Sequence, residues 1–388
     1  MKIVLLQDEI YLPSFAGGNK VNRCLLEGLA ERQHHCLALT RALTRSPDGP
    51  NELSQFGDEM DARGLAVREI EPDVYGYESQ GVEVEALNFP SVESRHDYIT
   101  RRIRAFQPDW VLVADDKRKF MLAAATTAAP GRILALAQTI IQLPFGPLSV
   151  NESHSQTALM RDARAVIVVS KFLQNYVSEH GEMESHLLRA PVYGSGPFPN
   201  LARHDAGFVT MINPCQLKGV AIFLALVRAF PQVMFAAVPT WGADEALLQD
   251  LNDLPNVCLL EPSDNIDDIL AQSRILLVPS LWPETFGNVA PEAMLRGIPV
   301  LASNLGGLPE AKLGVEYLLP VTPAECHDNG YQFPPQDISP WSQALGELVD
   351  DPQCYEQCSR RSRQAALKFV SDVSVAPFET LMLELTHQ

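Results

Sequence analysis

The sequence predicts an α/β protein built from two doubly wound, Rossmann-like domains. Short apolar runs rich in β-branched residues alternate with segments of helical periodicity, and this series occurs twice along the 388 residues. Between the two series, the stretch PVYGSGPFPN indicates an extended linker. We therefore predict an N-terminal domain over 1–190, a linker over 191–204, a C-terminal domain over 205–370 and a helical segment over 371–388, for which packing against the N-terminal domain is one option.

The predicted elements follow in order. The first strand is KIVLL, the segment DEIYLPSFAGGN reads as a loop, and an amphipathic helix with its apolar stripe at Val21, Leu25, Leu26 and Leu29 comes next. The further strands of the first series are CLALT, WVLVA, RILALA and AVIVVS. The second series contains GFVTMIN, a helix over 219–230, VMFAAV, NVCLL, a helix over 265–272, RILLVPS and PVLAS. Beyond residue 320 we expect loops, then helices over 341–350, 353–369 and 375–387.

Composition excludes several classes of function. A formal net charge of −18 argues against nucleic acid, whose phosphates require a basic surface. No apolar stretch approaches the roughly 18 residues of a membrane span, and the N-terminus has no signal-peptide pattern, so we expect a cytoplasmic protein without an integral membrane segment. The seven cysteines are scattered and complete no zinc pattern, which favours reduced thiols and no metal.

The segment SLWPETFGNVAPEAMLRGIPVLASNLGGLPE, residues 280–310, predicts an anion site at the end of a strand. It should contain a helix of about ten residues that begins near 285–288 and ends at Gly297. The first turn of a helix offers unpaired N–H groups and a positive dipole end, and Gly287 lets the backbone approach phosphate oxygens closely.

Two carboxylates flank this anion site, Glu284 before the predicted helix and Glu292 within it. A carboxylate accepts from two neighbouring hydroxyls at once, which is what the vicinal diols of a hexose or a ribose present. The alternative is that both are ordinary helix residues, one near the favourable dipole and one on a solvated face. The surrounding glycines and prolines favour a nucleotide-sugar site.

Two further segments fit the same ligand. Lys218, in INPCQLKG between a strand and a helix, is placed to neutralise a diphosphate leaving group, although a surface lysine is the alternative. The pair Gly17 and Gly18 follows the first strand and would direct backbone amides toward the donor, or would form an ordinary turn.

Residues 284–292, in the setting P-E-x-F-G, resemble the E-x7-E signature of glycosyltransferase family 4, and the following GIPVLASNLGGLPE is similar to the C-terminal domain of that family. The resemblance implies a GT-B fold with two domains facing each other across a cleft, retention of anomeric configuration and no divalent metal. It also implies that Glu284 binds donor-sugar hydroxyls, that Glu292 binds the ribose and that Lys218 meets the diphosphate. The backbone residues that would bind sugar and phosphates are Phe286, Gly287, Asn288 and Val289.

The sequence departs from the family pattern at two positions. Asn213 stands about where an arginine usually assists the lysine, so it would contribute a hydrogen bond but no charge. Gln138 stands after RILALA, where many members have a histidine on the acceptor side, and either donates a neutral hydrogen bond or merely packs. Asp115, next to Asp116 at a strand end, is an acceptor-side candidate, with a loop or helix-cap role as the alternative.

We therefore predict a retaining hexosyltransferase with Glu284 and Lys218 as its catalytic residues. Its donor would be a nucleoside-diphosphate sugar, with UDP as a guess, and its acceptor hydroxyl would belong to a small molecule, a glycan or a lipid-linked sugar. The alternatives are another GT-B enzyme, such as a phosphorylase or a sugar-nucleotide hydrolase, and a non-catalytic sugar-binding protein. A dinucleotide-dependent oxidoreductase is disfavoured, because AGGNKVNR lacks the G-x-G-x-x-G spacing.

Overall fold

The computed structural model divides the chain into two compact units. The first unit is Met1–Val192 together with Val373–Gln388, and the second is Tyr193–Asp372. The chain therefore passes between units at 192 and 372, beside the predicted ends at 190 and 370, and residues 193–204 of the predicted linker are counted with the second unit. The residues that the structure describes are 1–14, 17–44, 49–327 and 330–387.

The first unit contains a nine-stranded sheet that is parallel except at one edge. Its central strands are continuous apolar runs, such as Trp110–Ala114 and Ile133–Ala137, because helices cover both faces of a parallel sheet. In chain order, the elements are β1 (Lys2–Ile10), α1 (Gly17–Glu31), β2 (His35–Arg41), α2 (Leu53–Ala62), β3 (Arg68–Glu71), β4 (Val74–Ser79), β5 (Val82–Leu87), α3 (Val92–Phe106), β6 (Trp110–Ala114), α4 (Met121–Ala128), β7 (Ile133–Ala137), a 3₁₀ turn (Ile140–Gln142), α5 (His154–Arg161), β8 (Ala165–Val168), α6 (Lys171–Gly181) and β9 (His186–Leu187).

The strand order is β3-β4-β5-β2-β1-β6-β7-β8-β9, and among the described strands of this sheet only β3–β4 and β4–β5 pair antiparallel. The apolar stripe predicted for α1 is confirmed, since Val21, Leu25, Leu26 and Leu29 are buried.

The predicted loop DEIYLPSFAGGN is wrong at both ends. Strand β1 continues to Ile10, with an irregular register after Leu6, and helix α1 already begins at Gly17. Asp8 is tolerated inside the strand because its Oδ1 lies 2.7 Å from Nη1 of Arg95, and both side chains are 3% exposed. Burial nevertheless raises the pKa of Asp8, despite the neighbouring arginines. Periodicity cannot reveal this pairing, because the two residues are 87 positions apart.

The second unit contains a six-stranded sheet, parallel throughout its described strands, in the order β12-β11-β10-β13-β14-β15. Its elements are β10 (Phe208–Ile212), α7 (Val220–Ala229), β11 (Phe235–Val238), α8 (Glu245–Asn252), β12 (Val257–Leu259), α9 (Ile266–Leu270), β13 (Ser273–Val278), α10 (Val289–Leu295), β14 (Val300–Ser303), α11 (Leu308–Ala311), β15 (Leu318–Leu319), β16 (Glu325–His327), β17 (Gly330–Gln332), α12 (Ser339–Asp350) and α13 (Pro352–Val370).

Two features of the C-terminal region complete the fold. The segment after residue 320, expected to be loops, contains the antiparallel pair β16–β17, whose intervening residues lie outside the described ranges. The last helix, α14 (Ala376–Thr386), belongs to the first unit, where Arg32 donates to Oε2 of Glu379. Within the described ranges, the structure has no helix of the length and apolarity that crossing a membrane requires.

Candidate active site

Two loops meet at the carboxyl edge of the second sheet, because β10 and β13 are neighbouring parallel strands. The backbone N–H of Leu281 donates to the carbonyl of Leu217 at 2.9 Å. Gly219, with φ of +82°, passes so close to the other loop that a Cβ there would lie 1.9 Å from the carbonyl oxygen of Pro279. A glycine is therefore required for this contact, which places Lys218 beside Glu284.

Lys218 and Glu284 form an ion pair with 2.5 Å between Nζ and Oε1, and their side chains are 20% and 12% exposed. The same Oε1 also accepts from the hydroxyl of Ser280 at 2.6 Å and from the indole N–H of Trp282 at 2.9 Å. The Lys218 ammonium stands over the Trp282 ring, 4.7 Å from its centroid. Within the described residues, Oε2 of Glu284 accepts no hydrogen bond, so one oxygen is fixed and the other is available.

Burial is the largest influence on the pKa of Glu284 and by itself would raise it. The Lys218 charge and the hydrogen bonds from Lys218, Ser280 and Trp282 together outweigh burial, so the pKa of Glu284 is held below its usual value. Glu284 is therefore a carboxylate at neutral pH. Ser280 and Trp282 were not singled out from the sequence, although both lie within the segment that predicts the site.

The predicted helix after Glu284 is shorter than expected and starts later. Helix α10 covers seven residues, Val289–Leu295, and Glu284–Asn288 form a loop before it. Gly287 has φ of +94°, a conformation that other residues adopt only with strain. In the described part of the chain, the backbone N–H groups of Gly287, Asn288 and Val289 donate no hydrogen bond. The unpaired N–H donors that the sequence predicts for an anion site are thus present. Those of Gly287 and Asn288 belong to the loop, and only that of Val289 belongs to α10.

The downstream glycine pair supports this loop directly. The backbone N–H of Gly307 donates to the carbonyl of Glu284 at 2.7 Å. A Cβ on Gly306 would lie 2.6 Å from the same carbonyl oxygen, and one on Gly307 would lie 2.4 Å from that of Thr285. The pair in SNLGGLPE therefore lets a second backbone segment lie against the Glu284 loop.

The other donor-side residues occupy more enclosed positions. Glu292 is 6% exposed and lies in the first turn of α10, so it is not on the solvated face that the alternative expects. Phe286 is 2% exposed and stacks on Phe369 with 5.8 Å between ring centroids, so only its backbone can serve a ligand. The Asn288 side chain accepts from the Tyr193 hydroxyl at 2.9 Å.

Asn213 follows β10 with φ of +58° and is 5% exposed. Its Oδ1 accepts from the backbone N–H of Gly242 at 3.0 Å, which orients the amide. Its Nδ2 is buried without an acceptor among the described residues. Asn213 thus fixes the loop after β11, and it brings a hydrogen-bond donor but no charge to the place where the family resemblance expects an arginine.

In the first unit, Gly18, Gln138 and Asp115 lie together. A Cβ on Gly18 would be 3.4 Å from Oε1 of Gln138 and 3.9 Å from Oδ2 of Asp115. Gly18 belongs to the first turn of α1 rather than to a loop, as does Gly17, around which a Cβ would have open space. Asp115 accepts from the backbone N–H groups of Gln138 and Thr139 and, at 2.6 Å, from the Thr139 hydroxyl. Burial raises the pKa of Asp115 even so.

Gln138 takes part in a chain of buried amides. Its Nε2 donates to Oδ1 of Asn22 at 2.7 Å, and Nδ2 of Asn22 donates to Oε1 of Gln7 at 2.7 Å. Nε2 of Gln7 donates onward to the carbonyl of Ile10 at 2.8 Å. Oε1 of Gln138 is buried and accepts nothing from the described residues. The bond that Gln138 makes to Asn22 lies inside the unit, so a hydrogen bond from Gln138 to an acceptor stays a prediction. Neither Asn22 nor Gln7 has a signal in the sequence.

Asp116 is a helix cap: its carboxylate accepts from the N–H groups of Phe120, Met121 and Leu122 at 2.9–3.1 Å. A small pocket beside it is lined by both aspartates, Lys119 and Gln156, together with apolar side chains. Among the described residues, no group of three or more His, Cys, Asp or Glu side chains is arranged to hold a metal ion.

Sequence comparison adds an independent finding. Residues 203–351 match the family model described as Glycosyl transferases group 1. The chain is 27% identical to the exopolysaccharide phosphotransferase SCO2592 of Streptomyces coelicolor over 284 residues, which are 69% of this chain and 28% of that protein. It is 32% identical to the D-inositol 3-phosphate glycosyltransferase of Corynebacterium jeikeium over 195 residues, 46% of this chain and 43% of that one. The chain thus spans less than half the length of each of these relatives.

Solved structures resemble the chain over its whole length. Alr3699/HepE of Anabaena, solved in complex with UDP-glucose, superposes with a TM-score of 0.67 at 17% identity and covers 100% of this chain and 99% of that one. At this identity the likeness concerns the fold, and the predicted fold class is confirmed: the chain has the GT-B fold of two Rossmann-like α/β domains. The match over 203–351 and the relative from Corynebacterium jeikeium are similarities to glycosyltransferases, whereas the relative from Streptomyces coelicolor is named a phosphotransferase.

Proposed function

We propose that this protein is a retaining, metal-independent glycosyltransferase of family 4 that moves a hexosyl group from a nucleoside-diphosphate sugar to a hydroxyl acceptor. The observation that carries the proposal is the Lys218–Glu284 pair, in which three donors hold Oε1 of Glu284 and leave Oε2 available. A carboxylate fixed in this way accepts from a sugar hydroxyl with little loss of side-chain freedom.

Phosphate binding follows from the groups around this carboxylate. Among the described residues, Glu284 is the only anionic partner of Lys218, and the N–H groups of Gly287, Asn288 and Val289 donate to no acceptor. A diphosphate would accept from all four of these groups, and Oε2 of Glu284 would accept from a hydroxyl of the hexose. Glu292, buried in the first turn of α10, would hold the ribose diol, and Asn213 would add a neutral donor.

In the reaction, the bond between the anomeric carbon and the diphosphate oxygen breaks while the acceptor oxygen bonds to the same carbon from the same face. The acceptor hydroxyl passes its proton to the departing diphosphate, so no protein nucleophile is consumed. Lys218 stabilises the charge that develops on the leaving oxygen, and Glu284 positions the hexose. Because these groups supply the positive charge and the hydrogen bonds, we propose that no divalent cation takes part.

UDP is the nucleotide we propose, since HepE of Anabaena, with the same fold, was solved with UDP-glucose. For the acceptor side we propose the cluster of Gln138 and Asp115. Oε1 of Gln138, which accepts no hydrogen bond from the described residues, would accept from the acceptor hydroxyl. The acceptor would be a small molecule, a glycan or a lipid-linked sugar.

The test is to incubate the protein with UDP-, GDP- and ADP-hexoses, with and without an acceptor panel, in buffer containing EDTA. We expect nucleotide release that depends on an acceptor, persists in EDTA and gives a product of retained configuration by NMR. Nucleotide release without any acceptor would indicate a sugar-nucleotide hydrolase. Formation of hexose 1-phosphate from a glycan and inorganic phosphate, without release of nucleotide, would indicate a phosphorylase. An inverted product would refute retention.

A further inference from the structure

The loop that carries Glu284 is anchored through two of its side chains. The Phe286 ring stacks on Phe369, with 5.8 Å between the centroids and an interplanar angle of 26°. Two residues further on, Oδ1 of Asn288 accepts from the Tyr193 hydroxyl at 2.9 Å. In the described ranges, the backbone N–H of Asn288 donates no hydrogen bond. Both side chains therefore serve the fold, and what this part of the loop can offer a ligand is its backbone.

The two anchoring residues lie at opposite ends of the second unit's chain. Tyr193 is its first residue, and Phe369 stands in the last turn of α13, shortly before the unit ends at Asp372. Their rings meet edge to face, with 5.9 Å between the centroids at an angle of 73°. Tyr193 is only 5% exposed, so its ring and its hydroxyl are both enclosed. Two segments that are distant in the sequence are thus joined at this loop.

The bond from Tyr193 occupies a side chain that is well suited to another role. An asparagine directly before a helix commonly caps it, by accepting from a backbone N–H of the first turn. Asn288 directly precedes α10 but makes no such bond, and its Oδ1 accepts from Tyr193 instead. A buried tyrosine hydroxyl usually has a partner, so its bond alone is ordinary packing. The significance of this bond lies in the partner, a residue of the loop whose N–H groups we assign to phosphate.

The same loop contains a residue that needs restraint. Gly287 has φ of +94°, and a glycine changes its backbone conformation at little cost. Backbone donors that are disordered before binding must be ordered by the ligand, which lowers affinity. The contacts of Phe286 and Asn288 lie on the two sides of Gly287, so they restrain the peptide groups whose N–H donors are unpaired.

We propose that Tyr193 is a positioning residue for the diphosphate of the donor, a proposal that rests on the proposed function. Its hydroxyl holds Asn288 in place, and the N–H groups of Gly287 and Asn288 then keep the arrangement that receives phosphate oxygens. Tyr193 acts through Asn288, so it contributes equally to the binding of every nucleoside diphosphate, whatever the base.

The experiment measures nucleotide affinity in full-length variants by calorimetric titration with UDP, GDP and ADP. Tyr193→Phe removes the hydroxyl and keeps the ring, and we expect it to weaken every nucleotide that the wild type binds by about 2- to 10-fold, the value of one hydrogen bond. Asn288→Ala removes the acceptor but keeps the backbone N–H, so it should have a similar effect. Because both changes break the same bond, the double variant should bind no more weakly than either single variant.

Tyr355→Phe is the matched control for the loss of a buried hydroxyl in the same unit. Tyr355 is 2% exposed, and its hydroxyl donates to the carbonyl of Arg274 at 2.9 Å and accepts from the N–H of Arg203 at 3.2 Å. Arg274 lies at the start of β13, whereas the Glu284 loop follows the other end of that strand. Tyr355→Phe should therefore lose stability in urea unfolding and keep the wild-type affinity for nucleotides.

Unchanged nucleotide affinity in Tyr193→Phe would overturn the proposal. Additive losses in the double variant would also overturn it, because Tyr193 would then act by a route other than Asn288. Equal losses of affinity in Tyr193→Phe and Tyr355→Phe would reduce the effect to general destabilisation. In each case Lys218→Ala can still weaken UDP, and the proposed transferase then stands. If the wild type binds no nucleotide and transfers no sugar, the proposed function fails and this proposal fails with it.

Discussion

At the carboxyl edge of the second sheet, Lys218 and Glu284 are a charged pair with one carboxylate oxygen available to a ligand. At the carboxyl edge of the first sheet, Gln138, Asn22 and Gln7 are neutral amides that hydrogen-bond in series, and all three are buried. Removing a charge from water is expensive, and the Lys218–Glu284 pair stays partly exposed, whereas the three amides are enclosed and paired with one another. The first arrangement suits recognition of phosphate, and the second suits a hydroxyl.

The comparison predicts that the largest functional effect comes from the charged pair. Replacing Lys218 by Ala removes the cation that we propose faces the leaving diphosphate, so we expect kcat to fall about 10²–10³-fold. Lys368→Ala, which removes an exposed lysine from α13 in the same unit, should leave kcat unchanged. The measurement is the rate of acceptor-dependent nucleotide release, and near wild-type turnover in Lys218→Ala would contradict this role.

The second prediction concerns the support of the Glu284 loop. Gly306→Ala and Gly314→Ala both place a side chain at positive φ, +62° and +78°, which costs about 1–2 kcal/mol. Only at Gly306 would the new Cβ meet backbone, 2.6 Å from the carbonyl of Glu284, whereas Gly314 faces open space. Urea unfolding should therefore show Gly306→Ala to be about 1–3 kcal/mol less stable than Gly314→Ala. Equal free energies of unfolding for the two variants would mean that the Glu284 loop shifts to accommodate the new methyl group with no loss of stability.

The third prediction concerns the chain of buried amides, where we expect a loss of stability without a loss of donor binding. Gln138→Leu leaves Oδ1 of Asn22 buried without its donor, so the free energy of unfolding should fall by about 1–3 kcal/mol. Affinity for UDP should change little, since Lys218, Glu284 and Glu292 lie in the other unit. Gln343→Leu, at an exposed position of α12, should stay within about 0.5 kcal/mol of wild type. If Gln138→Leu lost affinity for UDP without losing stability, the assignment of Gln138 to the stability of the first unit and not to donor binding would be wrong.

The fourth prediction concerns Glu292, the buried carboxylate of α10. If it binds the ribose, Glu292→Ala should raise the donor KM about tenfold and lower kcat less. Glu292→Gln, which keeps the shape, controls for packing around a side chain that is only 6% exposed. An unchanged KM in both variants, by steady-state kinetics, would indicate a structural role.

The smallest expected effect is a pH dependence of stability. The pKa of Glu284 in the folded protein lies below its usual 4.5, so its contribution to stability is fully present above pH 4.5 and is lost as the pH falls through the folded value. Glu284→Gln lacks this contribution. The difference in Tm between wild type and Glu284→Gln should therefore narrow on acidification below pH 4.5, and a difference constant from pH 7 to pH 3 would count against the ion pair.

Much of the fold and part of the site could be predicted from the sequence. The two strand–helix series, the buried stripe of α1 and the closeness of the Lys218 and Glu284 loops follow from periodicity and from the rule that parallel strands end at one edge. The predicted lengths of β1 and α10 were wrong for two reasons. Arg95 holds Asp8 in a strand, and the carbonyl of Glu284 accepts from the N–H of Gly307 instead of from a helical N–H. Both causes lie far away in sequence.

The sequence by itself determined which chemistry is present: a lysine after one strand, a carboxylate after its neighbour, and glycines where the backbone must come close. Only the tertiary structure decided how these groups are used. In the folded chain, Oε1 of Glu284 accepts from three donors, Glu292 is buried and Trp241 is exposed. Gln138 donates to Asn22, which donates to Gln7. Residue types fix which hydrogen bonds and charges are possible, whereas burial and the pairing of atoms distant in the chain decide which of them a ligand can reach.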